Sequence, residues 1–164
     1  MLNISHIHVR PIEIGDFDFV RDLASKQRNF TVPPVYVLWL LIRIKGAICL
    51  IAEHSSEGPR AYLLAVPVEG AEDSMFVWQL AASKGLGREK VTFALLAEFR
   101  NIAHKFAVRN IAFSSVPNSA SFRTIRRLAW EVFSSEPKAI SALPPSIGRK
   151  ESEFLLNLSD TRRL

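Results

Sequence analysis

The sequence predicts an α/β protein with a mixed, mostly antiparallel central sheet and helices on both faces. Three apolar runs, at residues 47–53, 60–68 and 75–81, are separated by short polar turns, and this pattern is typical of an antiparallel meander. The spacing of the apolar residues then changes. Over 89–106 they recur at helical spacing, and another strand-like run follows at 110–115. A strand, a helix and a strand in this order predict a parallel, right-handed crossover, so the sheet contains both directions.

The N-terminal part of the chain predicts one strand and two helices. Residues 6–10 alternate between polar and apolar side chains and predict a first strand that ends at Pro11. Asp16 is suited to cap the first helix, because its side chain can accept a hydrogen bond from a free helical amide. Pro34 is suited to the first turn of a second helix, and Gly46 to its end.

The C-terminal part predicts a helix at 118–130, a loop at 134–148 and a last strand at 153–158. The loop is predicted from its content of proline and serine. The complete order is strand, two helices, three strands, helix, strand, helix and strand. Because 164 residues suit one domain, we expect residues 1–164 to form a single domain.

The chain is basic, with a formal net charge of +5. This charge favours an anionic partner, which is a nucleotide-like cofactor, a nucleic acid or a membrane surface. We expect no nucleic-acid partner, because the sequence has no helix-turn-helix or zinc pattern and its aromatic residues do not cluster among the basic ones. We expect no membrane partner either, because Arg43, Lys45 and Gly46 interrupt the one long apolar stretch at 35–52.

Cys49 is the only cysteine, and it lies within the apolar run 47–51. We therefore expect a buried, unreactive thiol and no internal disulfide. Residues 1–10 lack the apolar core of a signal peptide, and together with the cysteine usage this favours a cytoplasmic protein. His6 and His8 share one face of the first predicted strand, but no third ligand accompanies them, so we expect no metal site.

A glycine loop separates the third strand of the meander from the next helix. We use this name for Lys84, Gly85, Leu86, Gly87 and Arg88. The two glycines allow a tight turn and a close approach of a ligand to the backbone. The first amides of the following helix lack partners within the helix, and the helix dipole favours an anion there. The loop is thus either a diphosphate site or a turn that only joins strand to helix, and no Walker pattern follows the glycines.

Two segments resemble conserved motifs of the GNAT superfamily of acyl-CoA-dependent N-acyltransferases. Residues 76–81 (Phe-Val-Trp-Gln-Leu-Ala), followed by the glycine loop and a helix, are similar to the central acetyl-CoA motif of that family. The helix at 118–130, which begins Asn-Ser-Ala-Ser, is similar to the family's second conserved helix. Within the superfamily, the runs 36–41, 76–79 and 151–155 resemble the diaminobutyrate acetyltransferases.

The resemblance implies an N-acetyltransferase with acetyl-CoA as its co-substrate. The acceptor would be the primary amine of a small molecule, diaminobutyrate-like or another amine, which attacks the thioester directly. Many relatives pair as dimers, so the resemblance also implies a homodimer. The residues implied for the cofactor are the glycine loop, which would bind the diphosphate, and Gln79, Leu80, Ala81, Ala82 and Asn118, which would bind the pantetheine arm.

Four further residues are candidates for catalysis or for binding of the acceptor. Glu153 matches a glutamate of the diaminobutyrate enzymes, and Glu53 ends a strand near the expected cleft, so both are candidate catalytic carboxylates. The alternative for each is a solvated carboxylate. Trp78 is a candidate wall of the acceptor site, and Tyr36 is a candidate hydrogen-bonding partner of the acceptor. The alternative for these two aromatic residues is a packing role.

The chain departs from the GNAT pattern at two positions that matter for chemistry. Ala82 stands where the family usually has Arg or Gln, three residues before the first glycine. Ile125 stands where many members have a Tyr that protonates the departing thiolate, and isoleucine cannot donate a proton. These departures leave a second hypothesis open, namely a weak or inactive GNAT-like domain that binds CoA or a protein partner.

Overall fold

The computed structural model describes residues 6–85, 87–142 and 152–158. Within these ranges the strands are β1 (Ile7–Pro11), β2 (Ile48–His54), β3 (Gly58–Val68), β4 (Ala71–Ala82), β5 (Asn110–Ser115), β6 (Lys138–Ala142) and β7 (Ser152–Asn157). The helices are α1 (Phe17–Ser25), α2 (Val35–Leu41), α3 (Arg88–Lys105) and α4 (Ala120–Phe133). A short 3-10 helix, Ile14–Asp16, directly precedes α1.

These strands form one sheet in the order β1-β2-β3-β4-β5-β7-β6. The neighbours β4 and β5 are parallel, and each other neighbouring pair is antiparallel. The parallel pair is joined through α3, as expected for a crossover connection. The predicted mixed, mostly antiparallel sheet is therefore confirmed.

Helices cover both faces of the sheet, as the sequence predicted. On one face, side chains of α3 and α4 form a core with Leu50 and Ala52 of β2. On the other face, side chains of α1 and α2 form a second core with Cys49 and Ile51 of the same strand. β2 is buried on both faces, which explains why its sequence is continuously apolar. Cys49 is buried as expected, and desolvation raises the pKa of its thiol to about 11.

Two predicted boundaries are wrong. The segment 134–148 was predicted to be a loop, but Lys138–Ala142 form β6, an edge strand that pairs with β7. The pairing register shifts around the exposed Ile140, so this short segment has no regular alternation that would reveal a strand. The helix α2 ends at Leu41, earlier than the predicted stop at Gly46.

Candidate active site

β4 and β5 separate towards the C-terminal end of β4, and this opening is the centre of the candidate site. The two strands pair only between residues 74–77 and 110–113. β4 then continues to Ala82 and β5 to Ser115. Among the described residues, no strand pairs with this side of β4 beyond Val77. We call the opening the β4–β5 wedge.

A β-bulge in β4 lies at the point where the wedge begins. Val77 of β4 pairs with Ala65 of β3. Gln79 pairs with the adjacent Leu64, which leaves Trp78 as an extra residue in β4. An extra residue bends its strand and increases the local twist. β4 therefore turns away from β5 at Trp78, where the parallel pairing ends.

The edge of β4 inside the wedge presents backbone amide and carbonyl groups. Side chains on a strand point above and below the sheet, so they leave its edge open. Ala81 and Ala82 are buried, and Leu80 packs against the core under α3. Residues 79–82, to which the family resemblance assigns the pantetheine arm, therefore present their backbone groups along an open edge, where an added strand would pair.

The side chain of Gln79 is buried on the face of the sheet that carries α1 and α2. Its side-chain oxygen accepts a hydrogen bond of 2.9 Å from the hydroxyl of Tyr62. Its side-chain nitrogen donates a hydrogen bond of 2.8 Å to the carbonyl oxygen of Thr31. Tyr62 is fully buried, and desolvation raises the pKa of its phenol. These bonds tie the loop between α1 and α2 to the sheet beside the bulge.

The glycine loop has the backbone geometry for which glycine is needed. Gly85 has a φ of 116° and Gly87 a φ of 82°, and both lie in the left-handed region. Gly87 is the N-cap of α3, and the amide of Arg88 donates a hydrogen bond of 3.4 Å to the carbonyl of Gly85. Leu86 of this loop lies outside the described residues. The N-terminus of α3 is thus placed directly after the wedge edge of β4.

Positive charge surrounds the glycine loop. Lys84 and Arg88 are exposed on it, and the N-terminus of α3 adds the positive end of a helix dipole. Glu89, in the first turn of α3, is bound by Arg127 of α4 at 2.6 Å, which offsets its negative charge. Arg60 of β3 also approaches the loop. Sequence reasoning missed Arg60, because only the register of β3 against β4 brings it there.

Asn118 lies in the turn that follows β5, on the other side of the wedge. Its φ of 60° is left-handed, a conformation that asparagine tolerates better than most residues. Its carbonyl oxygen accepts a hydrogen bond of 2.8 Å from Arg123. The next residue, Ser119, caps α4 by accepting a hydrogen bond of 3.0 Å from the amide of Phe122. The cap fixes the start of α4 and with it the position of the exposed Asn118.

The two departures from the GNAT pattern are packing positions in this structure. Ala82 is buried in the core beneath α3. Ile125 of α4 is half-buried and packs against the same core. Neither side chain supplies a charge or a proton, so these functions would have to come from other groups around the wedge.

Glu153 lies on β7 opposite Ser114, near the end of β5 that borders the wedge. Its neighbour Phe154 packs against Phe113 and Phe122 in the core under α3 and α4. Successive side chains of a strand point to opposite faces of the sheet. Glu153 is therefore on the face that carries α1 and α2, where it is half-buried.

Glu53 is bound by Arg10 of β1. The guanidinium of Arg10 lies 3.1 Å from a carboxylate oxygen of Glu53 and 2.7 Å from one of Asp16. Burial by itself would raise the pKa of Asp16, but hydrogen bonds from Arg10 and from the amide of Glu13 outweigh burial and lower it. The hydrogen bond with Asp16 in turn raises the pKa of Arg10. These contacts tie β1, β2 and the 3-10 helix together and favour a structural role for Glu53.

Trp78 and Tyr36 lie in different surroundings. Trp78, at the bulge, is half-buried and packs against the core formed with α1 and α2. Tyr36 is 67% exposed on α2 and stacks on Trp39, with ring centroids 5.8 Å apart. The guanidinium carbon of Arg43 lies 3.9 Å from the ring centre of Trp39. Trp78 thus borders the wedge, whereas Tyr36 extends from the outer surface of α2.

The described residues hold neither a cluster of metal ligands nor a helix that spans a membrane. The rings of His6 and His54 lie 6.0 Å apart. In the described part of the chain, however, no group of three His, Cys, Asp or Glu side chains is arranged to hold a metal ion. No helix within these same residues is both long enough and apolar enough to cross a lipid bilayer.

Comparison with known proteins gives matches among solved structures, although no protein-family model and no curated protein sequence matches the chain significantly. Diaminobutyrate acetyltransferase of Paenibacillus lautus, solved with its substrate L-2,4-diaminobutyric acid and coenzyme A, is 23% identical, with a TM-score of 0.77 over 92% of this chain and 94% of that one. YncA of Salmonella typhimurium, solved with its cofactor acetyl-CoA, is 13% identical, with a TM-score of 0.68 over 96% of both chains. A variant of the spermidine N-acetyltransferase of Vibrio cholerae is 12% identical, with a TM-score of 0.70 over 94% of this chain and 95% of that one.

These likenesses show the fold of the chain. It is the fold of the GNAT acetyltransferases, which the sequence resemblance predicted. The alignments span nearly the whole of this chain and of each of the three proteins.

Proposed function

We propose that the chain is an N-acetyltransferase that transfers an acetyl group from acetyl-CoA to the primary amine of a small molecule. The observation that carries this proposal is the β4–β5 wedge, which opens directly before the glycine loop and the N-terminus of α3. Two similar structures support it, because one was solved with coenzyme A and the other with acetyl-CoA. The basic surroundings of the glycine loop also suit an anionic co-substrate.

Acetyl-CoA would lie along the wedge. The amides of its pantetheine arm would pair with the backbone of residues 79–82, and Asn118 would contact the arm from the other side. Its diphosphate would accept hydrogen bonds from the glycine loop and from the first amides of α3. With both ends held in this way, the acetyl group would lie where β4 leaves β5, beside Trp78.

The transfer needs one proton acceptor and one polarised carbonyl. The neutral amine attacks the thioester carbon, a tetrahedral intermediate forms, and the C–S bond breaks as the carbonyl is restored. Backbone amides at the bulge would polarise the carbonyl oxygen. Glu153 would accept the proton of the attacking amine, directly or through a water molecule. Because Ile125 has no proton to give, the thiolate would leave as such or take a proton from water.

The acceptor would bind on the face that carries α1 and α2. Trp78 borders the wedge there, and Glu153 gives that face a carboxylate that favours a cationic amine. Tyr36 of α2 would form a hydrogen bond with the acceptor at the outer edge of the site. Diaminobutyrate and spermidine are the first acceptors to test, because two of the similar structures are of enzymes named for these compounds. Glu53 remains the second candidate base, although Arg10 already binds its carboxylate.

Two measurements, made one after the other, test the proposal. Isothermal titration calorimetry should detect binding of CoA and acetyl-CoA at sub-millimolar concentration, and the absence of binding would refute the proposal. A thiol-release assay with acetyl-CoA and a panel of diamines, polyamines and amino acids should then identify an accepted amine. Mass spectrometry of the product should show the added acetyl group.

The packing of Ile125 favours one alternative, a GNAT-like domain that binds CoA without efficient turnover. This side chain belongs to the core and cannot protonate a thiolate. The same two measurements separate the alternatives. Binding of CoA together with no thiol release from any amine in the panel would support the binding domain, whereas turnover would exclude it.

A further inference from the structure

Arg60 is held next to the glycine loop by the pairing of β3 with β4. Its neighbour Ala61 pairs with Ala82, the last residue of β4. The carbonyl oxygen of Arg60 accepts a hydrogen bond of 2.8 Å from the amide of Ser83, the first residue after β4. The backbone of Arg60 is therefore fixed at the point where the chain enters the glycine loop.

The guanidinium of Arg60 reaches the loop itself. A Cβ atom placed on Gly85 would lie 3.8 Å from Nη2 of Arg60. The guanidinium therefore lies within van der Waals contact of the position that a side chain on Gly85 would occupy. The side chain of Arg60 is only 23% exposed, so it is held against the protein and does not extend freely into solvent.

Glu57 orients this guanidinium. Its carboxylate forms an ion pair with Nη1 of Arg60 from the turn before β3. An arginine side chain has five N–H donors, and the described residues provide no partner for the Nε or Nη2 donors of Arg60. One side of the guanidinium is thus fixed by a carboxylate, while the side next to Gly85 keeps donors for an anion.

We infer that Arg60 binds the diphosphate of CoA at the glycine loop and supplies the positive charge that Ala82 lacks. The inference rests on the proposed function, because it assumes that CoA occupies the wedge. Ala82 occupies the position at which relatives usually have Arg or Gln, and its side chain is buried. Arg60 brings a guanidinium next to Gly85 from the neighbouring strand, and the planar guanidinium fits two phosphate oxygens at once.

The first test removes the guanidinium. In Arg60→Gln, calorimetry should show an affinity for CoA that is about tenfold or more below that of the wild type, since one charge-assisted contact is lost. Dephospho-CoA keeps the diphosphate and lacks the 3′-phosphate, so its affinity should fall by the same factor. The KM for acetyl-pantetheine, which has no diphosphate, should not change. Arg109→Gln is the matched control, because it removes the same charge from an exposed position directly before β5.

The second test changes the affinity in the opposite direction. Glu57→Gln removes the negative charge that offsets the charge of Arg60, while its amide oxygen can still accept a hydrogen bond from Nη1, so we expect CoA to bind about two- to threefold more tightly. In the double variant Arg60→Gln/Glu57→Gln this gain should disappear. A pair that only stabilises the turn would lower the affinity in both single variants.

The outcomes separate this inference from the proposed function. Wild-type protein that does not bind CoA would refute the proposed function. Wild-type protein that binds CoA, together with an Arg60→Gln variant that binds as tightly as Arg109→Gln, would refute only the role of Arg60. If Arg60→Gln lowers the affinity for CoA but not the affinity for dephospho-CoA, Arg60 contacts the 3′-phosphate, and the inference is overturned. If Arg60→Gln is unfolded by circular dichroism, Arg60→Lys and Glu57→Gln provide the same comparison, and an unchanged affinity in both would also overturn it.

Discussion

The hydroxyl of Tyr62 and the side-chain oxygen of Gln79 are joined by a hydrogen bond of 2.9 Å inside the protein. Gln79 is the residue that follows the bulge at Trp78, and it is only 4% exposed. Its nitrogen continues the chain of bonds to Thr31, in the loop that leads to α2. The bulge that opens the wedge and the loop that approaches the acceptor face are thus connected through one buried side chain.

We expect both partners of this bond to contribute to stability. Tyr62→Phe should lower the free energy of unfolding by about 1–2 kcal/mol, because the oxygen of Gln79 loses its donor. Gln79→Leu should cost more, about 2–4 kcal/mol, because it leaves both the Tyr62 hydroxyl and the Thr31 carbonyl without a partner. Urea denaturation measures both values. Ser25→Ala, which removes an exposed hydrogen bond to Asp22, is the control and should be nearly neutral.

The double variant Tyr62→Phe/Gln79→Leu tests whether the bond itself is the cause. The loss should be smaller than the sum of the two single losses, because the second change removes a partner that is already lost. Strict additivity would contradict the interpretation.

Asp16 should make stability depend on acidic pH. Burial alone would raise its pKa, but hydrogen bonds from Arg10 and the amide of Glu13 hold the folded-state pKa of Asp16 below its ordinary value. Its contribution to stability is therefore present above the ordinary pKa and is lost as the pH falls through the folded-state pKa. Asp16→Asn should cost about 1–3 kcal/mol near neutral pH, because Arg10 and the amide of Glu13 lose a charged acceptor. The difference in free energy of unfolding between Asp16→Asn and the wild type should become smaller at acidic pH. Urea denaturation at a series of pH values measures this difference.

The control for this prediction is Asp22→Asn. Asp22 forms an exposed ion pair with Lys26 on α1, with more than half of each side chain accessible to solvent. Exposed pairs contribute little, so we expect a change of less than about 1 kcal/mol at any pH. A pH dependence in Asp16→Asn that equals that of the wild type would contradict the assignment to Asp16.

The sequence predicted most of the fold because most elements carry local signals. The helix α3 has an apolar period, and β2 is a continuous apolar run because both of its faces are buried. β6 has neither signal, since it is short, lies at the edge of the sheet and contains a register shift at Ile140. Its pairing with β7, which no local pattern specifies, makes it a strand.

The candidate site was predictable where glycine or a family motif marks it and not where strand register builds it. Gly85 and Gly87 are visible in the sequence because their positive φ angles require glycine. The approach of Arg60 depends on the pairing of Ala61 with Ala82, and no local pattern specifies that pairing. The ion pair between Arg10 and Glu53 is of the same kind, because it depends on β1 lying beside β2.

Gly87→Asp should abolish binding of CoA. Gly87 caps α3 with a φ of 82°, so any side chain there is strained, and a carboxylate would also face the phosphates at the start of the helix. Gly87→Ala is the matched variant, since it adds the backbone strain without the charge. Calorimetry should show a partial loss for alanine, on the order of a few fold, and no measurable binding for aspartate. Equal affinities in both variants would show that the diphosphate does not lie at this loop.

Glu153→Gln should separate catalysis from binding. If Glu153 accepts the proton of the amine, kcat should fall by about 100-fold or more while calorimetry gives the wild-type affinity for CoA. The same charge is removed by Glu72→Gln at the exposed start of β4, far from the wedge, and this control should keep the wild-type kcat.

Glu53→Gln then distinguishes the two candidate carboxylates. Glu53 is tied to Arg10, so its loss should lower the free energy of unfolding by about 1 kcal/mol or more. Its effect on kcat should be much smaller than that of Glu153→Gln, because Arg10 holds its carboxylate on β2 and the strand β3 separates β2 from the wedge edge of β4. The reverse order, with a large loss of kcat only in Glu53→Gln, would move the general base from β7 to the end of β2 and would place the acceptor beside Arg10.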